Sequence, residues 1–354
     1  MDSNMNSLHK IVSRPLNFRF FAFALTILLL SPAHPANRPA TKALTVSATE
    51  AGNGSAALPG TPPLPEVPPL PEVNDQRPGS VLFFNYYTSS LNNPGGQNTR
   101  INLTNANPTD TARIHIFFVD GSNGSFSDSF VCLTPNQTTS FNMSDTDPGV
   151  TGYVLAVAVN ATGCPISFNY LMGDEAVKLS SGHRASFYAE AIPALFSGSL
   201  PGCSNASSSA VLNFDGVSYA LLPRTLAADK LRSAVDGNST LVIVNRVSGN
   251  YTTTLPGIGG LSGQVFDPLG NATSFSATGG VQYVNSSLNT SFAPGQSGWA
   301  TLSADSGTGL LGAVINFNAN AATSPGAFTG GRNLHKLTLA AASSLTISVI
   351  APGC

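Results

Sequence analysis

Charge is what this chain has least of. Lys and Arg number 16 and Asp and Glu 18 in 354 residues, 10% of the total, against roughly 25% in ordinary soluble domains. The formal net charge of −2 exerts no pull on nucleic acid or an anionic membrane. No basic stripe interleaved with aromatics is present, so nucleic acid is not expected as a partner. Few ionisable groups also leave few candidates for acid–base chemistry. There is one Trp, and Cys and Met number four each. No two Cys are spaced as CxxC and no Cys/His cluster occurs, which sets aside a zinc knuckle. A GxSxG elbow is missing. The stretch Pro256–Gln264 is rich in glycine but lacks the Lys and following helix of a phosphate loop, and reads as a hairpin connection. No cofactor is expected. Long runs at helical period are missing beyond the N-terminus, and Thr225–Ala234 is the best helix candidate.

Gly (34) and Pro (25) are plentiful. Near the N-terminus, Lys10, Arg14 and Arg19 precede the apolar run Phe20–Leu30 and the small residues Ser31-Pro32-Ala33. That run is short of the about 20 apolar residues a spanning helix needs, so residues 1–33 read as a signal peptide, with an uncleaved anchor as the rival. The mature chain is then expected without a membrane span, secreted or in the cell envelope, extracellular or periplasmic. Cys132, Cys164, Cys203 and Cys354 would form two disulfides there. Three connectivities are open. The expected one joins Cys132 to Cys164 and Cys203 to Cys354, with free buried thiols as the alternative. Residues 34–79 form a Pro-rich linker carrying a tandem hexapeptide, Pro62–Val67 and Pro68–Val73, both PPLPEV. Proline fixes φ and lacks a donor, so this is an extended spacer, either a stalk or a ligand for a Pro-recognising domain.

From Ser80 onward short apolar runs alternate at period two between turn residues. Arg100–Leu103 alternates Ile and Leu with Arg and Asn, and Tyr153–Val159 is apolar throughout, as in a strand covered on both faces. The chain also reads as two imperfect copies. Asn98–Asn105 (NTRINLTN) matches Asn238–Asn245 (NSTLVIVN), Thr134–Phe141 matches Ala293–Leu302 through a Pro two residues before a Gln, and Gly152–Val159 matches Leu311–Val314. The predicted fold is all-β, two tandem antiparallel Ig-like Greek-key sandwiches over residues 80–197 and 198–354.

Candidate sites are sparse. Asp145 and Asp147 stand at i, i+2 in a turn, as in oxygen-rich calcium loops, but a plain turn is the preferred reading, because the next carboxylate in sequence is Asp174. Asp174 and Glu175 follow the ISFN segment and read as a solvated strand end, or as an acid–base pair if His183 joins them. His115 reads as a partly exposed strand histidine, and His183 and His335 as roughly equivalent structural groups. Asn-x-Ser/Thr triplets, as at Asn102, Asn136 and Asn160, are abundant in a chain rich in these residues. Tyr86, Tyr87, the Thr88–Gly96 loop and Trp299 are the candidate binding surface.

The segments NTRINLTN, HIFFVDGS, LTPNQT and ISFNYLMGD in the first copy and INFNAN in the second resemble those of uncharacterised exported bacterial proteins built from β-sandwich repeats. The resemblance covers most of Ser80–Cys354. It implies the fold and an envelope or extracellular location, and no binding residues. The function expected is that of a non-catalytic structural or adhesive surface protein, facing extracellular matrix, a cell surface or a polysaccharide. A carbohydrate-binding module is the alternative and a secreted hydrolase the third option.

Overall fold

The computed structural model describes residues 72–353 except Thr254, Ser306 and residues 324–326 and 341–342. The expected signal peptide, most of the expected linker and Cys354 lie outside the described residues. The described residues gather into one compact unit.

Strands in the first half are β1 (Val81–Thr88), β2 (Asn98–Asn105), β3 (Ala112–Asp120), β4 (Phe126–Leu133), β5 (Thr138–Asn142), β6 (Thr151–Val159), β7 (Leu171–Lys178), β8 (Arg184–Tyr188) and β9 (Glu190–Ile192). β10 (Ser209–Phe214) leads into β11 (Leu222–Arg232), β12 (Asn238–Arg246), β13 (Gly249–Asn250), β14 (Gly259–Phe266), β15 (Ala272–Gly279) and β16 (Gln282–Asn285). The chain ends with β17 (Ser297–Ala304), β18 (Leu310–Asn318), β19 (Gly330–Asn333), β20 (His335–Ala340) and β21 (Ser343–Ser348). Sheet I has the order β4-β3-β6-β1-β9, sheet II β5-β2-β7-β8, sheet III β10-β21-β13, sheet IV β15-β14-β17-β11-β20 and sheet V β16-β12-β18-β19.

The all-β class is as expected, but the arrangement is not. Two tandem Ig-like sandwiches are replaced by five sheets set in the manner of a five-bladed propeller. The reason is that several sheets are apolar on both faces. Leu82, Phe84, Ile114 and Val154 of sheet I pack on Ile101 and Leu103 of sheet II. The opposite face of sheet I, with Phe83, Phe117, Tyr153 and Leu155, packs on Leu212, Phe214, Leu345 and Ile347 of sheet III. Sheet V likewise faces sheet IV through Val242, Val244 and Val314, while its Ile243, Ala313 and Ile315 meet Val177 and Phe187 of sheet II. Each large side chain buried this way contributes about 1.5–3 kcal/mol, so doubly apolar sheets cannot stand alone in water.

The strand orders of sheets I and II turn into those of sheets IV and V when β1–β9 are replaced, in turn, by β11, β12 and β14–β20. Even a bulge recurs. Register shifts between Phe84 and Tyr87 in β1 and between Ala228 and Leu231 in β11. Opposite the bulge stands a glycine, Gly152 or Gly298. A Cβ there would lie 1.7 Å from the Val119 carbonyl oxygen or 2.1 Å from that of Phe266, so only glycine admits the strand. These glycines belong to Pro148-Gly149-Val150-Thr151-Gly152-Tyr153 and Pro294-Gly295-Gln296-Ser297-Gly298-Trp299. The internal match therefore needs correcting. β17 answers to Gly152–Val159 rather than to Thr134–Phe141. Laying Asn98–Asn105 on Asn238–Asn245 residue for residue would set inward Ile101 and Leu103 against Leu241 and Ile243, which face the other way.

Other expectations fail for local reasons. Thr225–Ala234 is mostly strand, not helix. The bulge brings Leu226, Ala228 and Leu231 to one face, and a spacing of two then three imitates helical period. Pro256–Gln264 runs into β14 instead of forming only a connection. Cys164 is joined to Cys203, not to Cys132. Backbone bonds from Ser167 N to the Gly198 oxygen and Leu200 N to the Pro165 oxygen hold these two loops together. Cys132 is also disulfide-bonded. Tyr86 and Tyr87, expected on a binding surface, are 6% and 0% exposed, because the β1 bulge turns them into the cores. His115, expected partly exposed, is buried between the Phe117 and Phe130 rings, with Nε2 2.7 Å from Asp128 Oδ2.

The two halves meet at the β1 bulge through buried amides. Gln282 Nε2 donates toward the Asn85 and Gly152 carbonyl oxygens and Asn245 Oδ1, at 3.2, 3.2 and 2.7 Å. Asn245 Nδ2 donates to the Asn85 carbonyl oxygen at 2.9 Å, and Asn85 Nδ2 to Asn333 Oδ1 at 2.9 Å. On the other side, Tyr86 N donates to Glu175 Oε1 at 3.3 Å.

A buried carboxylate also bridges the halves. Glu190 in β9 is 1% exposed, and Lys336 Nζ of β20 stands 2.7 Å from its Oε2. That contact has the distance of an ion pair without hydrogen-bond alignment, and Oε1 has no hydrogen-bond partner among the described residues. Burial pushes Glu190 up to about 7, with Lys336 pulling it down and Asp75 adding to the rise. The folded protein thus holds this proton more tightly than the unfolded chain. Stability from this group is full below about 4.5 and is lost as pH rises through about 7. The loss comes to about 3 kcal/mol. His115 and His183, both lowered by burial, oppose the trend as pH falls below 6.5. The measurement is therefore the denaturation free energy of wild type minus that of Glu190→Gln, at pH 5 and pH 8. Wild type should lose ground to the variant between the two, and a pH-independent difference would contradict this assignment.

Candidate functional site

A half-enclosed cleft of about 340 Å³ lies beside sheet II. Its floor is apolar, made of Leu82, Ala189 and Ala191, and its rim carries Asp75, Gln76, Arg77, Thr104, Met172, Asp174 and Tyr188. Antiparallel register assembles one wall: Thr104 pairs with Met172, and Asp174 with both Asn102 and Tyr188. The other wall is the end of the linker. Asn74 exchanges backbone bonds with Ala191 at 3.0 and 2.8 Å, while its Oδ1 accepts from Gln76 N at 2.7 Å and turns the chain over the cleft. Gly79 then passes against Ile192, where a Cβ would lie 2.8 Å from the Ile192 nitrogen.

Asp174 is held in place by relay. Asn102 Nδ2 donates to its Oδ1 at 2.6 Å, and Ser140 Oγ and Arg100 Nε donate to Asn102 Oδ1 at 2.6 and 3.1 Å. Oδ2 is left as an acceptor. Asp75 Oδ2 accepts from Asn333 Nδ2 at 3.1 Å. Tyr188 is 62% and Met172 41% exposed, a ring and a thioether presented to solvent. Two carboxylates and a guanidinium around an apolar floor with one exposed ring suit a ligand that is hydroxylated at its edges and apolar on its faces.

The sequence-predicted groups are dispersed. Asp174 and Glu175 point to opposite faces of β7, and Glu175 is buried rather than solvated, its carboxyl held well above the usual range mainly by desolvation. His183 is buried elsewhere, its Nε2 2.9 Å from the Ser239 carbonyl oxygen and its Nδ1 2.8 Å from Ser181 Oγ. His335 is exposed and lies 3.3 Å from Asp229 Oδ1, so it has no equivalence to His183. The trio Asp174, Glu175 and His183 is not brought together. Asp147 Oδ2 accepts from the Tyr87 hydroxyl at 2.5 Å, and Asp145 from Ser144 Oγ at 3.2 Å. Among the described residues no group of three or more His, Cys, Asp or Glu is placed to hold a metal ion.

Trp299 is 39% exposed on the outer face of sheet IV, stacked on Phe266 with centroids 4.3 Å apart and planes at 11°. Its counterpart Tyr153 is buried under sheet III. The stack covers one indole face, so the pair offers no broad flat platform. Sequence reasoning missed the cleft because its walls come from residues about 100 positions apart; the available signal was Asp174 two residues after Met172. No family model, no curated protein and no solved structure matches this chain.

Proposed function

We propose that this chain is a non-catalytic surface protein that attaches to polysaccharide, with the cleft between Asp75–Arg77 and β7–β8 taking a sugar unit. The observation that carries this reading is the combination in one cavity of an apolar floor, the Tyr188 ring and the relayed Asp174 carboxylate. A pyranose offers C–H faces to a ring and hydroxyl donors to carboxylates. The Cys164–Cys203 disulfide and the lack, among the described residues, of a helix long and apolar enough to cross a membrane are compatible with an extracellular setting.

The test is a glycan array followed by calorimetric titration of the retained oligosaccharide on the full chain. Tyr188→Ala should weaken binding by about tenfold or more, the loss expected for a central aromatic contact. Asp174→Asn should weaken it while leaving the melting temperature close to wild type. Retention of no glycan, or equal binding by Tyr188→Ala, would reject the reading. Attachment to cells that persists after glycan removal would point to a protein receptor instead.

A further inference from the structure

A second groove, of about 560 Å³, is lined by the end of β12, β13 and β21. Its lining includes Arg246, Ser248, Asn250, Thr253, Ser344 and Thr346, and no carboxylate. Arg246 is fixed in place: Nε donates to Ser248 Oγ, and one terminal nitrogen donates to the Gly257 carbonyl oxygen at 3.1 Å. A guanidinium carries five N–H donors. These two bonds leave three, on the two terminal nitrogens, without a protein acceptor among the described residues. Arg246 also has no anionic partner there, in contrast to Arg332, which is paired with Asp229 at 2.7 Å. In a chain with so few charges, a positioned guanidinium facing hydroxyls and an amide is an incomplete set of contacts. An oxyanion completes it, because two parallel N–H donors match two oxygens of a sulfate or carboxylate and neutral hydroxyls supply the remaining donors.

We infer that this groove is an oxyanion site, suited to a sulfate or carboxylate group such as acidic polysaccharides carry. It is separate from the sugar cleft, and its test does not depend on that reading. The probe is inorganic sulfate, titrated into the full chain at constant ionic strength with chloride as the balancing anion and followed by calorimetry and thermal shift. Wild type should show saturable binding and a rising melting temperature. Arg246→Gln should weaken sulfate at least about tenfold, the usual cost of losing a hydrogen bond to a charged group. Arg246→Lys, which keeps the charge and loses the planar fork, should fall between them. If Arg246→Gln does not fold, judged by circular dichroism, Arg246→Lys decides. Absence of saturable binding by wild type, or unchanged affinity in a folded Arg246 variant, overturns the assignment. A second arm compares a sulfated disaccharide with its desulfated form. Tighter, Arg246-dependent binding of the sulfated form identifies a glycan source, and equal affinity of sulfate and sulfated sugar identifies the free anion. Loss of neutral-glycan binding in Tyr188→Ala with sulfate binding intact would separate the two sites.

Discussion

Gln282→Ala should lower the stability of the whole chain by about 3 kcal/mol, a fall in melting temperature of roughly 5–10 °C. Gln282 is 8% exposed, and its amide reaches three acceptors contributed by both halves. Removing it leaves Asn245 Oδ1, on a residue with no exposure, without its 2.7 Å donor. A buried acceptor so orphaned costs about 1–3 kcal/mol, and the vacated side-chain volume adds to that. Because Asn85, Asn245 and Gln282 form one network, Asn245→Ala and Gln282→Ala should be non-additive by at least about 0.5 kcal/mol in a double-mutant cycle. Calorimetry adds a sharper readout. Wild type should unfold in one transition, and Gln282→Ala should broaden or split it, since the amides are the polar part of the junction between halves. A loss below about 1 kcal/mol, or strictly additive effects, would show that the apolar contacts of Ile243, Ala313 and Ile315 with Phe187 suffice to join them.

Replacing Cys164 and Cys203 together by Ala should cost about 4 kcal/mol. The bond closes a loop with a sequence separation of 39, and the entropy that such a cross-link removes from the unfolded chain has this size. Reduction of wild type should have an effect at least as large, because Cys132 is disulfide-bonded too. Peptide mapping under non-reducing conditions is the direct check: a Cys164–Cys203 linked peptide is expected. A Cys132–Cys164 peptide would instead restore the pairing that sequence proximity suggests.

That pairing illustrates what was legible. Four cysteines behind an N-terminus that reads as a signal peptide are enough to expect disulfides, but connectivity depends on which loops touch. Here the bonds between Ser167 and Gly198 and between Leu200 and Pro165 decide it. Strand identity was legible where alternation is strict, as in Arg100–Leu103, and where a run is apolar throughout, as in Tyr153–Val159. It was not legible at Thr225–Ala234, where a bulge and the positive φ of Lys230 (49°) alter the spacing of inward residues. The cleft was legible only as a carboxylate beside a methionine, since Asp75–Arg77 reach it from a linker that composition marks as a spacer.

By itself, the amino-acid sequence determined the local pattern: short strands of period two, turns at Gly and Pro, and an imperfect doubling of one unit. Side-chain alternation is a property of neighbours along the chain, so composition and spacing suffice to specify it. Tertiary structure alone decided how many sheets those strands form, which faces stay open to solvent and which residues share a cavity. Those outcomes depend on partners far apart in sequence. Val119–Tyr153 and Phe266–Trp299 occupy the same place in the two halves, yet Tyr153 lies buried under sheet III while Trp299 faces water.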